Sequence, residues 1–192
     1  MKHQKLITFL SKYSKISDSE QKYIEQLFKP INVRKKAILI EKNSTCNKLF
    51  FINSGMLRAF YINDKGKEIT RMVAWEDRFL TNIASFKNYS ENNETIECIK
   101  DANVIYINRK DFDELLILSS NLKSIYADIL EEYNALHIKR FEVLNTFDVN
   151  KKIEHLQQYP NLIKELNDTI LSSFIGISRE TFARNKKFLS EY

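Results

Sequence analysis

Residues 168–189 read DTILSSFIGISRETFARNKKFL and carry the signals for two short helices joined by a tight turn. Asp168 and Ser178 are both residue types that cap the start of a helix. Between them, Gly176 suits the positive φ of a tight turn, and Ser172 is small enough to let two helices cross closely. The segment therefore predicts a helix-turn-helix.

The second helix of this segment is expected to have one packing face and one exposed face. At about 100° per residue, Phe182, Asn185 and Leu189 share one side. On the other side, arginine can bond bidentately to guanine, glutamate can accept from cytosine N4, and a small methyl group allows close approach to the bases. Two lysines near the helix end are better placed for phosphates. The expected DNA-binding residues are Ser178, Arg179, Glu180, Ala183, Arg184, Lys186 and Lys187.

Other interpretations of this segment remain open. An amphipathic helix with a solvated basic face is the ordinary reading of a charge run, and helices of this kind can also bind protein. A protein-binding face would be expected to present aromatic or aliphatic anchors at its centre instead of Arg179, Glu180 and Arg184. The alternative function is therefore a ligand-sensing or protein-interaction module of the same fold.

The middle of the chain, from Ile31 to about Ile107, is rich in β-forming residues and turn signals. Turn residues at 53–55 and 63–66 separate some of the runs. Short strands with no helices between them predict an antiparallel roll or sandwich, and two short helices are expected before it, between residues 5 and 28. The predicted strands cover residues 37–40, 49–52, 56–62, 68–75, 95–99 and 104–107.

A long helix with a coiled-coil seam is expected after the roll. Its apolar positions recur at alternating spacings of four and three residues, which favours pairing with a second copy. The alternative is a helix packed on its own β-domain, which Ile125 and Leu130 also permit. The expected dimer-interface residues are Leu122, Tyr126, Ile129, Tyr133, Leu136, Arg140, Val143 and Phe147.

Composition narrows the class of protein. The chain has 192 residues, a formal net charge of +5 and only two cysteines, Cys46 and Cys98, with no CxxC motif. The charge suits a polyanionic partner, and the cysteine count is too low for a zinc finger or a four-cysteine cluster. The N-terminus lacks the apolar core of a signal peptide, so a cytoplasmic protein with no membrane association is expected. With no histidine between residues 4 and 136, the usual ligands of a β-roll metalloenzyme are missing, which argues against an enzyme and a metal site.

The chain resembles the Crp/Fnr family of bacterial regulators over nearly its whole length. The resemblance rests on residues 175–184 (IGISRETFAR), residues 49–58 (LFFINSGMLR), residues 66–68 (GKE), and residues 96–97 leading to 104–107. It implies an α+β chain with an N-terminal antiparallel β-roll of the cyclic-nucleotide-binding type over 1–118, a dimerisation helix over 119–147 and a helix-turn-helix domain over 148–192. It also implies base contacts from Arg179, Glu180 and Arg184, and makes double-stranded DNA, a second copy and RNA polymerase the expected partners.

The sequence departs from cyclic-AMP-binding members of that family where they hold the phosphate. Such members use a Gly-Glu pair that opens a short helix and a following Arg, whereas residues 79–96 here contain neither Gly nor Arg. No cyclic nucleotide is therefore expected. Haem is not expected because His3, His137 and His155 fall outside the predicted roll, and an iron–sulfur cluster is not expected because two cysteines are too few. No other cofactor is expected, and the effector is unknown. Candidates for holding another anion are Arg58, Arg71, Arg78, Ser85 and Lys87, with solvated strand and loop charges as the ordinary alternative.

Overall fold

A computed structural model describes residues 3–146 and 148–189. These residues form two compact units. One contains residues 3–62 and Arg71–Ile129, and the other contains Asn63–Thr70 and the described residues from Leu130 onward. The division thus falls inside the long helix. The predicted interface residue Phe147 lies outside the described residues, as do residues 1–2 and 190–192 of the predicted outer domains.

Helices lie at both ends of the chain, and the strands between them are interrupted by one short helix. In the chain they are α1 (Gln4–Leu10), α2 (Asp18–Leu27), β1 (Lys29–Val33), β2 (Ile38–Ile40), β3 (Lys48–Ile62), β4 (Glu68–Ala74), β5 (Phe79–Leu80), α3 (Ile83–Asn88), β6 (Thr95–Asn108), α4 (Arg109–Leu118), α5 (Ser120–Thr146), α6 (Val149–Leu156), α7 (Pro160–Glu165), α8 (Asp168–Phe174), α9 (Arg179–Asn185) and a 3₁₀ turn (Lys186–Leu189). None of the helices in the described part has both the length and the apolar character needed to traverse a bilayer.

The strands form the expected antiparallel roll. The sheet order is β1-β6-β3-β4, with β2 also paired to β6 and β5 also paired to β3. The long strands β3 and β6 run antiparallel along most of their length, and large apolar side chains such as Phe50, Phe51 and Ile105 are almost fully buried. Cys46 and Cys98 are buried free thiols, as their isolation in the sequence suggests, and burial raises the pKa of Cys98.

Several details of the predicted strands are wrong, and β1 and β5 were not predicted. Residues 53–55 are not a turn between strands but an irregularity in the register of β3 against β6. Gly55 has φ +88°, and a Cβ there would lie only 2.2 Å from the Asp101 carbonyl oxygen, so this glycine serves a close strand approach. The predicted runs 95–99 and 104–107 likewise form the single strand β6, and α3 is a helix between strands where none was expected.

The two predicted N-terminal helices are confirmed, and a buried carboxylate joins α2 to the start of α5. Ser17 and Glu20 form a capping box at the start of α2. Glu20 also accepts hydrogen bonds from the Ser119 hydroxyl and the Asn121 side chain. Burial by itself would raise the pKa of Glu20, but the hydrogen bonds from Ser119, Ser17 and Asn121 outweigh it and the pKa is lowered.

The predicted seam of α5 is divided between buried and exposed positions. Leu122, Ile129 and Val143 are buried within the single chain, as the alternative of a helix packed on its own protein requires. Tyr126 and Tyr133 are half-buried, and the Tyr126 ring packs edge-on against Phe112. Leu136 is exposed, and so are Ile138 and Phe141, which the seam did not include. At 100° per residue, Phe141 points away from the side that Val143 buries.

Candidate nucleic-acid interface

The first helix of the helix-turn-helix, α8, begins one residue earlier than the cap that we expected from the sequence. Asn167 is the N-cap, and its side chain accepts a hydrogen bond from the Ile170 amide at 3.0 Å. The expectation that Asp168 caps this helix is therefore wrong. Asp168 is the first helical residue, where a carboxylate still interacts favourably with the helix dipole.

The turn between α8 and α9 has the geometry of a Schellman motif. The Ile177 amide donates to the Ser172 carbonyl at 3.0 Å, and the Gly176 amide donates to the Ser173 carbonyl at 3.3 Å. Gly176 has φ +68°, and a Cβ there would lie 3.1 Å from Leu144 Cδ2. The predicted role of Gly176 in the turn is thus confirmed.

The second helix, α9, has the cap and the packing face that we expected. Ser178 is its N-cap and accepts from the Thr181 amide at 3.0 Å. Phe182 is completely buried, Leu189 is buried, and Asn185 is half-buried. Other almost fully buried apolar residues of this unit include Val143, Ile153, Leu156, Leu162, Leu171 and Ile175.

The side of α9 opposite Phe182 faces solvent. We call Arg179, Glu180, Ala183 and Arg184 the reading face, and all four are exposed. Lys186 and Lys187 are also exposed, but they lie in the 3₁₀ turn and not in α9 itself, so the recognition helix is shorter than predicted. Ser178 is half-buried because its hydroxyl caps the helix. Four basic side chains and one carboxylate thus line the solvent side of this segment.

Lys186 is held by a partner that we did not anticipate from the sequence. Its ammonium group lies 2.7 Å from Asp168 Oδ1, and both side chains are partly exposed. Because Asn167 caps α8, the Asp168 carboxylate is available for this pair. The predicted phosphate contact by Lys186 would have to compete with it.

The tip of the β3–β4 hairpin, Asn63–Thr70, belongs to the same compact unit as the helix-turn-helix. The Ser173 hydroxyl of α8 accepts a hydrogen bond from the Thr70 amide at 2.8 Å and donates one to the Glu68 carbonyl at 3.1 Å. The Arg140 guanidinium donates to the carbonyls of Thr70, at 3.0 Å, and Phe174, at 2.7 Å, and it stacks over the Phe174 ring. The hairpin tip is therefore hydrogen-bonded to α8.

Neither the hydrogen bonds of Arg140 nor the packing of the hairpin tip on α8 could be inferred from the sequence. Arg140 was predicted in the dimer seam, and its hydrogen bonds to Thr70 and Phe174 join residues far apart in the chain. The turn chemistry of the hairpin was recognisable, since Gly66 has φ +73° and its amide donates to the Asn63 carbonyl. No local signal indicates that the tip packs on α8.

A buried histidine lies in the same unit. His155 on α6 packs edge-on against the Tyr159 ring. Burial lowers the pKa of His155, and the positive charges of Lys139 and Arg140 lower it further. The neutral imidazole is thus the form that this environment favours.

The candidate anion-binding residues of the roll do not form one site. Arg58 is buried and paired with Glu97, and Arg71 is paired with the buried Glu94, so the expectation of simple solvated charges is wrong for both. Arg78 stacks over the Trp75 ring at 4.0 Å. The Ser85 hydroxyl donates to the Glu91 carbonyl, and Lys87 is exposed in the last turn of α3.

Within residues 3–146 and 148–189, no cluster of three or more His, Cys, Asp or Glu side chains is placed to hold a metal ion.

Comparison with known proteins agrees with this architecture. Residues 30–118 match the family model of the cyclic nucleotide-binding domain. No curated protein matches the chain by sequence. Among solved structures, the chain is similar to a protein assigned as a Crp/Fnr-family transcriptional regulator from Eubacterium rectale, with 17% identity, a TM-score of 0.74, and coverage of 95% of this chain and 87% of that one. The chain has the Crp/Fnr fold.

Two further structures share the Crp/Fnr fold with this chain. The c-di-GMP-responsive global regulator CLP of Xanthomonas campestris is 15% identical, with a TM-score of 0.71 over 90% of this chain and 91% of that one. FixK2 of Bradyrhizobium japonicum is 10% identical, with a TM-score of 0.69 over 85% of this chain and 84% of that one. The high coverage of each chain shows that the Crp/Fnr fold extends through both the roll and the C-terminal helices.

Proposed function

We propose that this chain is a sequence-specific, DNA-binding transcription regulator that acts in the cytoplasm as a homodimer on an inverted repeat, and that it is not an enzyme. The observation that carries the proposal is the α8–turn–α9 motif, with Phe182 buried on one side and the reading face exposed on the other. A helix that buries one side and presents basic and acidic side chains on the other is suited to the major groove.

The reading face favours DNA over a protein partner. Arg179 and Arg184 can each bond bidentately to guanine, and Glu180 can accept from cytosine N4. The exposed positions of α9 include no aromatic side chain and no large aliphatic one, which are the usual anchors of a protein interface. The exposed Lys187 is suited to a phosphate, where it adds affinity without sequence information.

Dimerisation is proposed through the exposed part of α5. Because Leu122, Ile129 and Val143 are buried within the chain, the surface left for a second copy includes Leu136 and the face that carries Ile138 and Phe141. Ile138 and Phe141 are 53% and 68% exposed and lie three residues apart on one face of α5, and contiguous exposed apolar residues of this kind mark protein–protein interfaces. Pairing through this helix would set two recognition helices about 34 to 36 Å apart, one turn of B-DNA.

We further propose that the roll binds no cyclic nucleotide. The segment that opens α3 is Thr81-Asn82, and residues 79–96 contain no glycine and no arginine. The residues present do not fit a nucleotide phosphate, because the buried Glu94 carboxylate would face the added negative charge and already occupies Arg71. The response to c-di-GMP is a property of CLP, whereas Arg71, the arginine of this part of the roll, is paired with Glu94.

Selection of bound sequences from a random duplex pool tests the proposal, using the purified full-length protein without added ligand. We expect enrichment of an inverted repeat whose half-sites are separated by one helical turn, with retained binding of the enriched duplex when the salt concentration is raised. Enrichment of a single half-site would contradict the dimer, and the absence of any enriched sequence would contradict sequence-specific binding by the ligand-free protein.

A variant with a charge in the proposed dimer face tests dimerisation separately from DNA binding. Phe141→Glu should convert a dimer to a monomer in light scattering and weaken binding to the full repeat more than to an isolated half-site. Phe141→Leu keeps an apolar side chain at the same position, so it is the matched control for the added charge and should remain a dimer. Equal oligomeric states for wild type and Phe141→Glu would contradict dimerisation through this face.

A further inference from the structure

We infer that Glu94 is a built-in anionic ligand of the roll: its carboxylate fills an anion-binding site formed by Arg71 and Asn82, so that this site is satisfied without a small-molecule effector. The inference rests on the proposed absence of a bound cyclic nucleotide, and it adds that the Glu94 carboxylate occupies the anion-binding site instead. We call Arg71, Thr81, Asn82, Asn92 and Glu94 the Glu94 network.

The two carboxylate oxygens of Glu94 are held from two different segments. Arg71 Nε of β4 donates to Glu94 Oε1. Asn82 Nδ2, immediately before α3, donates to Glu94 Oε2 at 3.3 Å. Each oxygen of the planar carboxylate thus accepts a hydrogen bond, one from a guanidinium and one from an amide, and charge-assisted hydrogen bonds to a carboxylate are among the stronger ones in proteins.

The groups that bind the carboxylate are themselves fixed in place. Arg71 also donates from its terminal nitrogen to the Thr81 carbonyl at 3.1 Å. Asn82 caps α3 through its oxygen and donates from its nitrogen to Asn92 Oδ1 at 3.1 Å. Asn92 in turn accepts from the Glu94 amide at 3.1 Å. The site is therefore preorganised by backbone and side-chain hydrogen bonds.

Burial makes this arrangement more than a surface ion pair. The Glu94 side chain is only 5% exposed, whereas the Arg71 side chain is 29% exposed. A buried carboxylate needs both a counter-charge and hydrogen bonds, and Glu94 has both. Removing the carboxylate would leave a preorganised cation and an amide facing a small polar cavity, which a free anion of the same shape can fill.

The test is chemical rescue of the full-length Glu94→Ala variant with sodium acetate, which replaces the missing part of the glutamate side chain. We expect Glu94→Ala to unfold at a lower temperature than wild type, and acetate to raise its Tm saturably, by about 4 °C at ten times the dissociation constant. Sodium chloride at equal ionic strength, and acetate added to wild type, should give no such saturable rise. The matched control is Arg71→Met/Glu94→Ala, which lacks the cation and should not respond to acetate.

The inference is overturned if acetate shifts Glu94→Ala no more than it shifts the double variant. It is also overturned if cyclic AMP raises the Tm of wild type, an outcome that would in addition refute the proposed absence of nucleotide binding. Selection of bound DNA sequences tests the reading face and not the Glu94 network. A failure of DNA recognition can therefore be distinguished from a failure of the acetate rescue.

A double-mutant cycle covers the case in which Glu94→Ala does not fold. Glu94→Gln keeps the size of the side chain and removes its charge, so Arg71→Met should lower the Tm much less in the Glu94→Gln background than in wild type. An equal loss in both backgrounds would show that the carboxylate is not bound by Arg71 and would overturn the inference.

Discussion

Ser173→Ala should loosen the hairpin tip from α8. The Ser173 hydroxyl takes part in two hydrogen bonds with the tip, accepting from the Thr70 amide at 2.8 Å and donating to the Glu68 carbonyl at 3.1 Å. Alanine removes both bonds without adding bulk. Thr70 is completely buried, so its amide would be left without an acceptor and without water.

The size of the effect follows from that unsatisfied donor. A buried amide that loses its partner costs about 1 to 3 kcal/mol. We take the free energy needed to open the tip to fall by about 2 kcal/mol in the variant. Since about 1.4 kcal/mol corresponds to a factor of ten, the population of open states then rises roughly 30-fold.

Amide hydrogen exchange at Thr70 measures this opening directly. We expect exchange at Thr70 to be about 30-fold faster in Ser173→Ala than in wild type. Ser172→Ala is the matched control, because the Ser172 hydroxyl bonds only to the Thr169 carbonyl of its own helix among the contacts described. Exchange at Thr70 that is unchanged in Ser173→Ala, or equally fast in both variants, would refute the reasoning.

Three further predictions concern the same unit. Gly176→Ala should lower the free energy of unfolding by about 1 to 2 kcal/mol in urea titration, since Gly176 has φ +68° and a Cβ would lie 3.1 Å from Leu144; an unchanged midpoint would contradict this. Burial first, and nearby positive charges second, lower the pKa of His155 from 6.5, so the unfolded chain binds the proton more readily. Stability should therefore fall as pH drops through about 6.5 towards the folded-state pKa, and His155→Gln should flatten that dependence; an equally steep fall in the variant would rule the histidine out. Asp168→Asn should release Lys186 for phosphate and steepen the salt dependence of DNA binding by about 0.9 per dimer half; an unaltered slope would show that the pair does not restrain the lysine.

Local signals predicted the parts of the fold that depend on neighbouring residues. Gly176, Ser178 and the Phe182 face could be recognised because turns, caps and helical periodicity act within a few residues. The cap of α8 was misplaced by one residue because Asn167 and Asp168 are adjacent and both are capping types. Pro160 opens α7 because proline fits the first helical position, where the missing N–H has no partner to lose.

Long-range contacts account for what local pattern could not predict. The apolar repeat of α5 has the same period whether it meets a second copy or its own chain, and the burial of Leu122 and Ile129 reveals which of its positions pack internally. No local signal in the sequence identifies the hydrogen-bond partners of Arg140 and Arg71. Their partners, Thr70 and Glu94, are distant in the chain and come into contact only in the folded protein.

The most direct test of the central claim is to titrate the selected inverted repeat and a scrambled duplex of equal length with wild type and Arg184→Ala. If α9 reads bases, Arg184→Ala should lose about 1 to 3 kcal/mol, roughly 5- to 150-fold in Kd, on the repeat and almost nothing on the scrambled duplex. Equal losses on both duplexes would show that Arg184 contributes only charge, and would contradict base recognition by the reading face.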